Sequence, residues 1–105
     1  MTWRAPGAET WDVLSDANRE RHRQEQIGIS RRERGIEWRS CADPAMAGGD
    51  AMRATVLGEE YGEACRAVLE GSVAAEDVTR RYHETNLRTE LIQVAAVAVA
   101  WLESM

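Results

Sequence analysis

Glu60 and Glu63 stand three residues apart, and further along the chain Glu90 stands three residues before Gln93. Residues three apart on a helix share a face, so each pair can aim its side-chain oxygens at one point between two helices. Oxygen ligands gathered in this way suit a hard cation such as Mg²⁺. That ion usually sits between a few carboxylates and the oxygens of a substrate phosphate. Glu59 lies about 100° around the helix from Glu60 and is expected to stay outside the ligand set. The plainer reading of the same acids is a set of solvated helix faces, since Glu is seldom buried.

Three main helices are expected to carry these residues. The first begins near Thr10, presents Trp11, Leu14 and Ala17 as an apolar stripe, and runs through the charged stretch to Gln26. From there it either continues or breaks near Gly28 and resumes through Arg31 to Trp38. Residues 40–50, with Pro44, Gly48 and Gly49, read as a loop. The second helix runs from an Asp50 N-cap to Glu70, with Gly71 as its C′ residue. Its core face is Leu57, Tyr61, Ala64, Cys65 and Val68. Gly58 and Gly62 cost roughly 1 kcal/mol each inside a helix relative to Ala, so another backbone or a ligand is expected close to them.

Residues 72–86 read as a polar connection with a short helix around Glu76–His83, and Thr85 or Asn86 caps a last helix ending near Glu103. Between Leu91 and Leu102 almost every residue is apolar. That helix should be covered on most sides, which a three-helix chain does not easily manage alone. Association through a seam containing Val97 and Val99 follows.

The wording around the acids adds a resemblance. Leu57-Gly58-Glu59-Glu60-Tyr61-Gly62-Glu63-Ala64 resembles the L-x-E-E-x-G-E signature of the MazG-like nucleotide pyrophosphohydrolases. Leu87-Arg88-Thr89-Glu90-Leu91-Ile92-Gln93 is similar to the second motif of that family, E-x-x-D. The likeness spans residues 50–104 well and 10–40 loosely. It implies an all-α, MazG-like helical bundle completed by oligomerisation, as a dimer or tetramer. It also implies Mg²⁺-dependent, with Mn²⁺ as an alternative, hydrolysis of a nucleoside triphosphate or related nucleotide to the monophosphate and pyrophosphate. Glu60, Glu63 and Glu90 would be the catalytic, metal-holding acids, with Gln93 a fourth, uncharged ligand. Family members with Gln at this place occur, many of them in phage genomes. Arg34-Gly35-Ile36-Glu37-Trp38 is similar to the family segment beside the nucleobase, which makes Trp38 a candidate to stack on a base, while a Trp in a small helical protein is more often a core residue. Arg34, Arg39, Arg53 and Arg88 are candidates for phosphate contact, because a guanidinium meets phosphate in bidentate fashion. Gln93 also keeps open a second reading: a weak or inactive relative that binds a nucleotide or a protein partner.

Composition agrees with a small helical domain. The chain has 105 residues and a net charge of −5; all thirteen basic residues are Arg and there is no Phe. Residues 41–105 carry eleven acids against five Arg, which argues against nucleic acid as a partner. One domain over residues 9–105 with a loose leader at 1–8 fits this length. Cys41 and Cys65 lack the spacing of a zinc site, and Cys65 reads as a small core residue. His22 and His83 read as surface histidines. The residues from Met1 to Gly7 contain no apolar signal segment, and the Leu91–Leu102 run is too short to span a bilayer. No membrane association and a cytoplasmic location are therefore expected.

Overall fold

The computed structural model describes residues 7–38, 40–73 and 77–105, with the backbone alone for 77–80. Three helices make up the fold: α1 (Ala8–Glu33), α2 (Gly49–Ser72) and α3 (Asp77–Glu103). There is no strand among the described residues, and none of the described helices is long and apolar enough to cross a membrane.

α1 is one unbroken rod of 26 residues. Its polar surface is laced by local ion pairs, Asp16–Arg19 at 2.5 Å, Glu20–Arg23 at 2.6 Å and Arg21–Glu25 at 2.6 Å. Pairs at this spacing each support an exposed helix by roughly 0.2–0.5 kcal/mol. Of the two courses open after Gln26, the helix takes the continuous one, with no break at Gly28. Gly28 is buried because the Trp38 side chain packs onto it, so closely that a Cβ at position 28 would overlap the indole's six-membered ring. The helix stops instead at Gly35, whose φ of 80° is left-handed. There the Ile36 N–H donates to the Arg31 carbonyl and the Gly35 N–H to the Arg32 carbonyl, which satisfies the last turn in the Schellman manner. Trp38 therefore sits in a loop and not in a helix. Of the stripe expected on α1, only Ala17 is buried, while Trp11 and Leu14 are exposed.

α2 starts one residue before the expected cap. Gly48 and Gly49 turn the chain with φ of 85° and 53°, and Gly48 is the N-cap residue. Asp50 lies in the first turn, and its carboxylate accepts from the Arg53 guanidinium at 3.0 Å and the Trp101 indole N–H at 2.9 Å. That second bond ties the start of α2 to the end of α3. At the other end, Gly71, still inside α2, lets the His83 Cβ come close, so α2 and α3 form an antiparallel hairpin. His83 is therefore tucked in, with its Nδ1 3.7 Å from Glu70. Of the short helix expected around Glu76–His83, Glu76 lies outside the described residues, and from Asp77 onward the chain runs continuously as α3. The leader expected at 1–8 falls outside the described residues except for Gly7 and Ala8, and Ala8 already belongs to α1.

α3 is the central element. It packs against both α1 and α2, which do not pack on one another. Arg88–Asp16 (2.6 Å) and Glu103–Arg21 (3.0 Å) bind α1 to α3. Among the described residues the buried apolar ones are Ala17, Ala64, Ala67, Ala96, Val97 and Ala100, with no large side chain fully enclosed. Val97 thus belongs to the interior of the chain itself. Tyr61 and Val68, expected in the core, are 61% and 52% exposed. Gly58 and Gly62 face open space, so no backbone of the described residues approaches them.

Candidate metal centre

Because α1 and α2 stand apart, an open cleft of about 370 Å³ forms between them above α3. Its floor is Gln93, Val97 and Ala100; its α2 wall carries Val56, Glu60 and Glu63; its α1 wall carries Arg21, Arg23, Ile27 and Arg31; and Trp38, Ser40, Cys41 and Met46 close one end. The α2 wall is acidic, and the α1 wall carries three arginines against one acid, Glu25.

At the acidic wall, Glu60, Glu63 and Glu90 each bring a carboxylate oxygen within 4.8 Å of those of the other two. The hairpin geometry produces this. Glu60 shares the inner face of α2 with Arg53, Ala64 and Ala67, Glu63 lies beside it toward the cleft, and Glu90 meets them from α3. Glu60 and Glu90 are half-buried, while Glu63 is exposed. One oxygen of Glu60 and one of Glu90 are buried with no hydrogen-bond partner among the described residues, and a buried acceptor left unpaired is costly. Burial, foremost, lifts the Glu60 carboxyl above its ordinary range, and the charges of Glu63, Glu20 and Glu59 lift it further while Arg23 draws it back. Glu90 is lifted by burial and then by its hydrogen bond with Glu63 and the charges of Glu63 and Glu60. Three converging carboxylates, two of them held above their ordinary range and each of those two with an orphaned oxygen, are a donor set that fits a divalent cation. Gln93 lines the same cleft.

The basic wall is built from residues that the sequence reading passed over. Arg23 is held by Glu20 through Nε at 2.6 Å and a terminal nitrogen at 2.8 Å, and both charges are felt at Glu60. Arg23, Ile27 and Arg31 recur every four residues on one helix face. That signal was present in the sequence, but it shows only on a helix that runs unbroken through Gly28. Arg21 is buried and pairs with both Glu25 and Glu103. Glu25 in turn accepts from the Ser40 hydroxyl, which anchors the closing loop to α1.

The arginines named from sequence lie elsewhere. The Arg53 side chain is 5% exposed and fully engaged: it donates to the Cys41 carbonyl at 2.8 Å, the Asp43 carbonyl at 2.6 Å and Asp50. It pins the 41–43 turn onto α2. Arg88 pairs with Asp16 and borders a separate shallow depression with Thr89 and Ile92. Arg34 is exposed and donates to the Ser30 carbonyl at the end of α1. Arg39 lies outside the described residues. Trp38 does line the cleft, half-buried, with the Arg32 guanidinium 5.9 Å from its ring centroid. Both cysteines are free, and Cys65, expected in the core, is only half-buried.

Comparison with protein-family models, with curated proteins and with solved structures found no match. The fold and the site define an all-α chain with a three-carboxylate centre on the rim of an arginine-walled cleft.

Proposed function

We propose that the chain is a Mg²⁺-dependent nucleotide pyrophosphohydrolase that works as a homo-oligomer and converts a nucleoside triphosphate or related nucleotide to its monophosphate and pyrophosphate. The observation that carries this reading is the convergence of Glu60, Glu63 and Glu90 opposite Arg23 and Arg31 across one cleft. The motif likeness around residues 57–64 and 87–93 supports it independently.

Glu60, Glu63 and Glu90 would hold the cation, with Gln93 as the neutral fourth ligand. The bound cation would neutralise phosphate charge and make a water molecule a better nucleophile. The chain's own groups do the rest. Arg23 and Arg31 receive the anionic phosphates, and Trp38 offers an apolar ring to the base. Attack of water on phosphorus forms one P–O bond and breaks the bond to the departing pyrophosphate, and a neighbouring carboxylate of the cluster takes the water's proton.

Gln93 favours a second reading, in which the same cleft binds a nucleotide without turning it over, since an amide brings no charge to the ligand set. A pyrophosphate-release screen over canonical and modified nucleotides with Mg²⁺ or Mn²⁺ separates the two. Release that disappears in Glu63→Gln, with helicity unchanged, supports the enzyme. Nucleotide binding with no release from any substrate supports the second reading.

A further inference from the structure

Away from the three acids, the cleft has a second polar group with an oxygen to spare. The floor runs from Gln93 to Ala100, a span of about 10 Å along α3. At the end closed by Trp38 and Ser40, Glu25 of α1 lines the cleft. One of its oxygens is fixed: Oε1 accepts from the Arg21 guanidinium at 2.6 Å and from the Ser40 hydroxyl. The other, Oε2, has no hydrogen-bond or ion-pair partner among the described residues. The Glu25 side chain is 27% exposed, so that oxygen is open to a ligand.

The carboxylate is held in place from two elements. Arg21 is buried and its other terminal nitrogen donates to Glu103 of α3 at 3.0 Å, so Glu25 is tied through it to a second helix, while Ser40 ties it to the closing loop. The donors gathered around it are spent. Arg21 gives its two terminal nitrogens to Glu25 and Glu103, the Ser40 hydroxyl goes to Glu25, and the Ala42 N–H goes to the Ser40 oxygen at 3.0 Å. What Glu25 offers a ligand is thus a fixed acceptor with no donor beside it from these partners. A carboxylate accepts from a base amino group, as Glu and Asp do from that of cytosine, and it opposes a carbonyl oxygen, which has no proton to give. Cytosine and adenine carry an amino group where uracil and hypoxanthine carry a carbonyl, in rings of nearly the same shape. Gln24 lines the same stretch, and its amide serves either edge.

We infer that Glu25 selects the base, and that the cleft takes nucleotides whose base carries an exocyclic amino group, cytidine and adenosine forms ahead of uridine and inosine forms. The inference rests on the nucleotide reading of the cleft and adds the substrate class to it. With the phosphates at Arg23 and the three acids and the base beside Trp38, the amino group meets Oε2 of Glu25. A hydrogen bond to a charged acceptor separates the amino base from its carbonyl counterpart by about 10- to 100-fold in affinity. Arg21 and Ser40 act through Glu25 as positioning residues.

Calorimetric titration of the full chain with the α,β-methylene triphosphates of cytidine, uridine, adenosine and inosine, in Mg²⁺, tests this without turnover. The unmodified protein should bind the cytidine form more tightly than the uridine form, and the adenosine form more tightly than the inosine form, each by about 10- to 100-fold. Glu25→Gln keeps an oxygen for Arg21 and Ser40 and turns an NH₂ toward the base. Both ratios should fall to about one or reverse, with the uridine form bound at least as tightly as before, a change that mere loosening of the loop does not produce. Should that variant fail to fold, Glu25→Asp takes its place; it keeps the charge, withdraws the oxygens by one carbon and should lower both ratios. Equal binding of each pair by the unmodified protein overturns the inference and leaves the nucleotide reading standing. Ratios that persist in the variant also overturn it. Binding of none of the four overturns both.

Discussion

Trp38 packs on Gly28 so closely that no side chain fits between them. This contact holds the loop after α1 against the helix and sets one end of the cleft. Replacing a mid-helix Gly by Ala ordinarily stabilises a helix by roughly 0.5–1 kcal/mol. Here Gly28→Ala should instead lower stability and shift Trp fluorescence, because the indole must leave its seat. In a Trp38→Ala background the same change should recover the ordinary gain, and a double-mutant cycle by denaturant unfolding reads the coupling. A stabilised single mutant would remove the contact.

Arg53 presents a second test of the same loop. Its buried guanidinium satisfies the Cys41 and Asp43 carbonyls and the Asp50 carboxylate. Arg53→Met keeps much of the packing yet strands those acceptors, and should cost about 2–4 kcal/mol. Arg53→Lys should recover only part of it, because one ammonium does not reproduce the fork. Chemical denaturation of the three proteins gives the order.

Gln93 decides how much charge the metal centre carries. Gln93→Asp adds a negative charge on the cleft floor, so calorimetric titration should show tighter Mg²⁺ binding, by about tenfold for each 1.4 kcal/mol gained. Turnover should rise or hold if the chain hydrolyses nucleotides. Unchanged metal affinity would place Gln93 outside the ligand set.

Two groups of carboxylates should bend the pH–stability curve in opposite directions. The hydrogen bond from Arg88, chiefly, holds Asp16 below its ordinary 3.8, and the Arg19 charge adds to this. Its contribution is present above that pH and is lost as the pH falls through the folded-state value. Asp16→Asn should flatten the acid limb. Glu60 and Glu90 lie above their ordinary 4.5, so their contribution is complete below that pH and is lost as it rises through the folded-state values. Metal-free protein should therefore lose Tm on the way to neutral pH, and Mn²⁺ or Mg²⁺ should restore it there and not at pH 4. Thermal melts across pH, with EDTA or metal, check both limbs.

Helical class was legible because periodicity and the scarcity of breakers act locally: the Gly48–Gly49 turn and the long apolar run of α3 are written in neighbouring residues. The spacing of Glu60, Glu63 and Glu90 was equally legible, since residues three apart share a helix face whatever surrounds them. Convergence of the three acids was not, because it depends on how the α2–α3 hairpin is registered, through Asp50 with Trp101 and Gly71 with His83. Read alone, Gly28 left a continuous or a broken helix open, and only the Trp38 ring from the following loop accounts for it; the Arg23, Ile27, Arg31 wall appears on the continuous helix alone. Arg53 read as one of four candidates for phosphate contact until two loop carbonyls claimed it. Leu57, Tyr61, Cys65 and Val68 announced a buried face by their spacing, yet spacing records only that a face is apolar. Which side of the hairpin each apolar stripe occupies, and so which stripe the chain itself covers, was decided by tertiary packing, since α3 has apolar residues all round and one chain supplies only two neighbours to cover them.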